Sequence, residues 1–248
     1  MPQVNPSSVM QSVVRLVRAE AAMATAIAVA VGASLVFLDV ADDSAEPDGR
    51  AFDMALLKWL HPGPDHAEPL GPQWFDHAVR DITSLGSLAV LVTLSLVVLG
   101  YLLLQRKRLE AVSLVVALGG GLGLSETLKR LFDRSRPPLE WHAAETLNAS
   151  FPSGHALLST VFFLTLGVML ARATPKARLR AYVMAVAILL AFLVGASRIY
   201  LGVHWASDVF AGWSLGAAWA MTCWLAEQAI ARGLMSGRRS GSSGDKAS

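Results

Sequence analysis

Six long apolar runs constrain the fold of this chain more than any other feature of its sequence. A helix needs about 20 predominantly apolar residues to cross the hydrocarbon of a bilayer, and all six runs approach that length. They cover approximately Ala21–Leu38, Leu85–Leu104, Leu109–Leu128, Ala156–Ala171, Ala181–Ala196 and Val209–Ile230. We therefore predict an all-α, polytopic membrane protein with six transmembrane helices.

The composition agrees with a membrane protein and excludes several other classes. Hydrophobic residues make up 54% of the 248 residues and charged residues only 16%, whereas about 25% of the residues of a soluble domain are charged. The net charge is +2 and no Lys/Arg run is interleaved with aromatic residues, so nucleic acid is not an expected partner. The single cysteine, Cys223, excludes an intrachain disulfide and a cysteine-based metal cluster.

The basic residues predict the orientation of the chain. The first run is longer than the 7–15 apolar residues of a signal peptide and lacks a small-residue cleavage site, so it is interpreted as a retained anchor. With both termini in the cytoplasm, 13 of the 21 Lys and Arg residues face inward, as the positive-inside rule requires. We therefore expect a multi-pass protein of the plasma membrane. Five of the eight outward-facing basic residues cluster beside the third and fifth spans, at Lys129, Arg130, Arg134, Arg136 and Arg198.

The chain is divided into a cytoplasmic segment (residues 1–20), a six-helix membrane domain (21–230) and a disordered cytoplasmic tail (231–248), since the tail is rich in Gly and Ser. Within the domain, the extracytoplasmic loop 39–84 contains two amphipathic pieces. Their apolar stripes are predicted to pack on the bundle or lie in the membrane interface, and a lid over a lipid entrance is the alternative. One stripe consists of Phe52, Leu56, Trp59 and Leu60, the other of Phe75, Ala78, Val79 and Ile82.

Three groups of polar residues lie near span ends on the predicted extracytoplasmic side. They are "KRLFDRSRP" with Lys129 and Arg136, "FPSGH" with Ser153, Gly154 and His155, and "SRIYLGVHWASD" with Arg198, His204 and Asp208. A charge at bilayer depth is unfavourable by at least about 2.5–3.5 kcal/mol, so intramembrane ionisable residues usually have a function. The topology places all three groups at one membrane face.

The chemistry of these side chains suits a phosphate ester. Lys and Arg groups bind phosphate oxygens, and Gly154 allows backbone N–H groups at a helix N-terminus to approach an anion. A neutral His204, oriented by Asp208 four residues later, is a competent nucleophile. His155 can protonate the leaving alkoxide and later accept a proton from water.

The three groups resemble the signatures K-x6-RP, PSGH and SR-x5-H-x3-D of the type 2 phosphatidic acid phosphatase superfamily, which also contains vanadium haloperoxidases and glucose-6-phosphatase. The resemblance covers about residues 80–228. It implies that His204 forms a phosphohistidine, that Asp208 orients it, and that His155 is the acid/base. It also implies a phosphate site that consists of Lys129, Arg136, Ser153, Gly154 and Arg198.

The expected function is that of a membrane lipid phosphatase with an extracytoplasmic active site. Its substrate class is phosphatidic acid, phosphatidylglycerol phosphate or a polyprenyl diphosphate. The resemblance implies hydrolysis without a metal or other cofactor, and the motifs have no neighbouring carboxylate cluster that could hold Mg²⁺. The alternatives are a lipid phosphotransferase that uses the same phosphohistidine and a non-enzymatic carrier of lipid phosphates.

Two further predictions concern residues of the third span. Glu126 is expected to pair with Arg130 or with a basic residue of the site and so to hold the phosphate-binding residues in place. Gly119 and Gly123 form a GxxxG pattern that predicts close helix packing.

Overall fold

The computed structural model describes residues 6–44, 46–64, 66, 68–142 and 149–244. These residues form eight α-helices, one short 3₁₀-helix over Leu139–Trp141 and no strand. The helices are α1 (Pro6–Asp43), α2 (Pro47–Leu60), α3 (Gln73–Ser84), α4 (Leu88–Leu104), α5 (Arg108–Phe132), α6 (Gly154–Ala173), α7 (Ala177–Tyr200) and α8 (Ala206–Gly244). The all-α prediction is confirmed.

Five of the helices are long and apolar enough to cross a membrane, namely α1, α5, α6, α7 and α8. The remaining predicted span, Leu85–Leu104, corresponds to α4, which has 17 residues and is joined to α3 at an angle of 49°. Ser87 begins α4, and its hydroxyl accepts a hydrogen bond from the N–H of Val90 at 3.4 Å. The structure therefore has five spans, or six when α3 and α4 are taken together as one broken span.

Helix α6 is the centre of the bundle. Half of its residues are buried, and it packs against α4, α5, α7 and α8. Its side chains Leu157, Val161 and Phe162 are almost fully buried in the main apolar core. Helix α1 packs chiefly along α8 and leaves most of its apolar surface exposed, as expected of a helix that faces lipid.

The GxxxG prediction for α5 is wrong in register. A Cβ on Gly119 or Gly123 would meet no atom within 4 Å, so neither glycine lies at a close helix contact. The close approaches occur at the next positions instead, because Gly120 lies against the indole of Trp219 and Gly121 against the side chains of α6. The GxxxG pattern could not identify the packed face of α5, since four of the five residues at positions 119–123 are glycines.

Two residues of the stripe predicted for α2 face away from the bundle, which leaves the predicted location in the membrane interface as a prediction. Phe52 and Trp59 are 55% and 65% exposed, and the buried residues of the helix are Asp53 and Leu57. The helix is rotated so that a carboxylate faces the protein, because that carboxylate has partners there. The prediction for α3 is confirmed, since Val79 is buried and α3 packs on α7, where the ring of Phe75 contacts that of Tyr200 edge-on at 5.3 Å.

Helix α8 continues to Gly244 as far as the structure describes it, beyond the predicted span that ends at Ile230. The disorder that the Gly/Ser content of residues 231–248 predicts stays a prediction. Extending an existing helix needs no new nucleation, so α8 can continue into a sequence that would not start a helix. Residues 245–248 and 1–5 lie outside the described residues.

Candidate active site

The ends of four helices meet around the candidate site. Helix α5 ends at Phe132 and is capped by Asp133, which adopts a left-handed conformation (φ 40°). The N–H of Ser153, at the start of α6, donates to the carbonyl of Asp208 in α8 at 2.9 Å. The loop between α7 and α8 carries His204 across the same end. All three motifs therefore lie at one end of the bundle.

His204 and Asp208 form a hydrogen-bonded pair. Nδ1 of His204 lies 3.3 Å from Oδ2 of Asp208, and both side chains are almost completely buried. The same carboxylate oxygen accepts the backbone N–H of Trp205 at 3.0 Å and the hydroxyl of Ser150. These contacts fix the orientation of the carboxylate and therefore that of the imidazole.

The other nitrogen of His204 faces a basic side chain. Nε2 lies 3.0 Å from Nη1 of Arg136, which also donates to the carbonyl of Val203 at 2.7 Å. A guanidinium only donates, so Nε2 must carry a lone pair and the proton must be on Nδ1, toward Asp208. Burial lowers the pKa of His204 from 6.5 to about 4; Asp208 opposes the shift, and Arg136 and Arg198 add to it. The geometry thus describes a neutral imidazole whose lone pair points at positive charge.

Two further basic residues lie in this region, Arg198 near His204 and Lys129 near Gly154. Arg198 is 5% exposed; its Nη1 donates to the hydroxyl of Thr83 at 3.1 Å, but its buried Nε–H has no hydrogen-bond partner among the described residues. Nζ of Lys129 lies 3.3 Å from the position that a Cβ on Gly154 would occupy, beside the start of α6. Unpaired buried donors are unfavourable, so an anion would be stabilised here.

His155 completes the cluster. Its half-buried imidazole lies in the first turn of α6 and packs against Gly86, between α3 and α4. It is within electrostatic range of Lys129, Arg136, Arg198 and His204. The hydroxyl of Ser153, beside it, is fully buried without a hydrogen-bond partner in the described part of the chain. The structure therefore brings together all eight residues that the sequence singles out.

The expected partner of Glu126 is present. Its carboxylate lies 3.5 Å from Nζ of Lys129, and the carboxylate is 44% exposed. Of the alternatives left open by the sequence, the pair with a basic residue of the site is the one observed. Its predicted role in holding the phosphate-binding residues in place stays a prediction.

Sequence reasoning missed four side chains in this region. Ser150 and Arg134 both contact the carboxylate of Asp208, and Asp53 contacts Arg134 from α2. Ser125 has a buried hydroxyl with no partner among the described residues, and it lies near Gly154. Arg134 was identified only as part of a basic cluster. For Asp53, the signal was a carboxylate surrounded by apolar residues in the amphipathic segment "RAFDMALLKWL".

The described residues contain no group of three or more His, Cys, Asp or Glu side chains placed to hold a metal ion. Lys129, Arg136 and Arg198 place positive charge around His155, and Arg136 and Arg198 do so around His204. The arrangement as a whole can bind a phosphate, present a nucleophilic nitrogen to it and supply a second imidazole for proton transfer.

Comparisons with known proteins identify the family of this chain. The family model described as the PAP2 superfamily matches residues 110–232. Phosphatidylglycerophosphatase B of Bacillus subtilis is 31% identical over 144 residues, which cover 58% of this chain and 70% of that protein. Undecaprenyl-diphosphatase of Sulfolobus acidocaldarius is 34% identical over 120 residues, which cover 46% of this chain and 54% of that protein.

Two solved structures have the same fold. A transmembrane PAP2-type phosphatidylglycerolphosphate phosphatase from Bacillus subtilis superposes with a TM-score of 0.73 at 26% identity, covering 81% of this chain and 96% of that one. LpxE of Aquifex aeolicus superposes with a TM-score of 0.54 at 25% identity, covering 68% and 93% of the two chains. Since the relatives, the fold and the three motifs agree, this chain belongs to the PAP2 superfamily of membrane phosphatases.

Proposed function

We propose that this PAP2 lipid phosphatase hydrolyses the phosphate monoester or diphosphate of a membrane lipid through a phosphohistidine on His204, at the extracytoplasmic face of the plasma membrane. The observation that carries the proposal is the environment of the imidazole. Its Nδ1 faces Asp208 at 3.3 Å, and its Nε2 faces Arg136 at 3.0 Å. Attack on phosphorus requires a lone pair on Nε2, and this arrangement provides it by holding the ring proton on Nδ1.

In the first step, Nε2 of His204 attacks phosphorus as the bond from phosphorus to the lipid oxygen breaks. His155 donates a proton to the departing oxygen, so that the lipid leaves as an alcohol, or as a lipid monophosphate when the substrate is a diphosphate. The carboxylate of Asp208 stabilises the positive charge that develops on the ring by accepting the hydrogen bond from Nδ1. Asp208 keeps its negative charge throughout.

In the second step, water replaces the lipid. His155, now neutral, accepts a proton from the water as its oxygen attacks phosphorus and the bond from phosphorus to Nε2 breaks. Inorganic phosphate is released and His204 returns to its neutral form. Each step transfers the phosphoryl group once, so the two steps together restore the starting enzyme.

Both transition states place negative charge on the three equatorial oxygens of phosphorus. The cations of Lys129, Arg136 and Arg198, together with the backbone at the start of α6, are available to these oxygens. Buried, fixed donors of this kind stabilise developing charge more effectively than mobile water does. The unpaired Nε–H of Arg198 and the unpaired hydroxyl of Ser153 are suitable partners for two of them.

The proposed substrates are phosphatidylglycerol phosphate, phosphatidic acid and polyprenyl diphosphates. Support comes from the names of the relatives, one a phosphatidylglycerophosphatase and one an undecaprenyl-diphosphatase. Further support is an apolar groove of about 260 Å³ between α4 and α5. It is lined by Leu88, two residues from Gly86, and by Leu122, one turn before Glu126. A lipid tail in this groove would bring its headgroup toward the site.

The test is phosphate release from purified protein in detergent, over a panel of these lipid phosphates. We expect turnover of at least one of them, a ³²P-labelled phosphoenzyme that is acid-labile and base-stable, as phosphohistidine is, and loss of both in His204→Gln. Binding without phosphate release would show a carrier. Transfer of the phosphoryl group to an added hydroxylic acceptor, without release of inorganic phosphate, would show a phosphotransferase. Full turnover by His204→Gln would exclude the proposed nucleophile.

A further inference from the structure

Asp53 carries a buried carboxylate, although its helix has the sequence of an amphipathic surface helix. It lies in α2, outside the segment matched by the family model, and its side chain is 1% exposed. An isolated buried charge is strongly unfavourable and persists only when it is paired and hydrogen-bonded. Its partners therefore indicate why α2 turns this residue inward.

The first partner of Asp53 is Arg134. Oδ2 of Asp53 accepts a hydrogen bond from Nη2 of Arg134 at 2.9 Å, and Nη1 of the same guanidinium donates to Oδ1 of Asp208 at 2.7 Å. One rigid guanidinium thus joins two carboxylates with its two terminal nitrogens. The side chain of Arg134 is only 14% exposed, so water screens these contacts weakly.

The second partner of Asp53 is the start of α8. Oδ1 accepts the N–H of Ser207 at 2.9 Å and Oδ2 accepts its hydroxyl at 2.5 Å, while that hydroxyl also receives a hydrogen bond from Nη1 of Arg134. Ser207 is the second residue of α8 and Asp208 is the third. A carboxylate at a helix N-terminus satisfies N–H groups that the helix cannot pair itself. Asp53 therefore holds the turn that carries Asp208.

We propose that Asp53 is a positioning residue for catalysis, acting through Arg134 and Asp208 on His204. Arg134 occupies Oδ1 of Asp208 and leaves Oδ2 for Nδ1 of His204. Asp53 supplies a second negative charge to Arg134, so the cluster of one cation and two carboxylates keeps a net charge of −1 beside the imidazole. The inference rests on the proposed roles of His204 and Asp208, and it makes α2 part of the active site.

The experiment compares Asp53→Asn with Asp48→Asn in the full-length protein. Both substitutions remove one negative charge from α2, but Asp48 is exposed and serves as the matched control. We expect Asp53→Asn to lower kcat by about 10- to 100-fold with KM changed by less than about 3-fold, since the substrate is still bound but the nucleophile is less well oriented. Asp48→Asn should have wild-type kcat and KM.

A double-mutant cycle separates positioning from general destabilisation. In the Asp208→Asn background, Asp53→Asn should lower kcat by less than about 3-fold, because the group through which it acts has already been altered. Equal losses in both backgrounds, an effect confined to KM, or wild-type kcat in Asp53→Asn would each overturn the inference. If Asp53→Asn cannot be purified as a folded protein, Arg134→Lys replaces it, because Lys keeps the charge but cannot join both carboxylates. It is measured in the wild-type and Asp208→Asn backgrounds and judged by the same outcomes.

Failure of this inference can be distinguished from failure of the proposed function. Full turnover by His204→Gln would remove the proposed nucleophile whatever Asp53 does. Inactive His204→Gln together with unaffected Asp53→Asn would leave the proposed function intact and remove only the role of α2.

Discussion

At the scale of single residues, the site depends on opposite charges at the two nitrogens of His204. Asp208 faces Nδ1 and Arg136 faces Nε2, so the surroundings select one tautomer of the neutral ring. The four-residue spacing of His204 and Asp208 was readable from the sequence. The contacts of Asp208 with Ser150 and Arg134 were not, because they join positions 58 and 74 residues apart.

Asp208→Asn is expected to impair turnover less than His204→Ala does. Asn at position 208 still occupies the site but no longer fixes the tautomer, whereas Ala at position 204 removes the nucleophile itself. By analogy with hydrolytic triads, Asp208→Asn should keep roughly 10- to 100-fold more activity than His204→Ala. Single-turnover phosphorylation of the two purified variants measures the difference. Equal residual rates would show that Asp208 does more than orient the ring.

His204 is expected to stay neutral well below pH 6.5. Burial lowers its pKa to about 4, so the unfolded chain binds a proton first as the pH falls. His204 therefore reduces the stability of the fold progressively between pH 6.5 and about 4, while its lone pair stays free over that range. NMR of ¹⁵N-histidine-labelled protein, assigned with His204→Gln, should show the Nδ1–H tautomer at pH 5.5. A titration midpoint near 6.5 would contradict the assignment.

At the scale of elements, the site depends on where helices begin and end. Lys129 lies in the last turn of α5, α6 begins at Gly154 directly after Ser153, and α8 begins two residues before Asp208. These boundaries followed, to within four residues, from the apolar runs that end at Leu128 and begin at Ala156 and Val209. The rotation of α2 did not, because an apolar stripe of Phe52 and Trp59 is a reasonable core face unless the partners of Asp53 are known.

Gly154→Ala tests the start of α6. The added Cβ would lie 3.3 Å from Nζ of Lys129 and 3.4 Å from Oγ of Ser125, so the end of a flexible side chain must move. We expect a small change in thermal stability but about a 10-fold or larger rise in KM or in the inhibition constant for orthovanadate, because the ammonium is displaced from the anion site. Gly123→Ala, also in a helix but with open space around its Cβ, should leave both constants unchanged. Unaltered constants in Gly154→Ala would remove Lys129 from the anion site.

At the scale of the whole molecule, the helical membrane architecture was predictable and the details of packing were not. Hydrocarbon thickness and backbone hydrogen bonding leave few structures for six apolar runs, and the three motifs had to meet once four of those helices packed together. By contrast, the glycine face of α5 depends on the neighbour it meets, Trp219 at Gly120, and a local pattern contains no information about that neighbour.

The orientation of the molecule is predicted from its basic residues and can be tested directly. An active site in the cytoplasm would require translocation of Arg106, Lys107 and Arg108, together with the four basic residues between Arg172 and Arg180, against the positive-inside rule. We introduce one reporter near the site, Leu139→Cys, and one between α4 and α5, Gln105→Cys; both positions are exposed. The native Cys223 is buried, so the parental chain gives the background. In bacterial spheroplasts, a membrane-impermeant maleimide should label the Leu139→Cys protein at once and the Gln105→Cys protein only after permeabilisation. The reverse pattern would place the site in the cytoplasm.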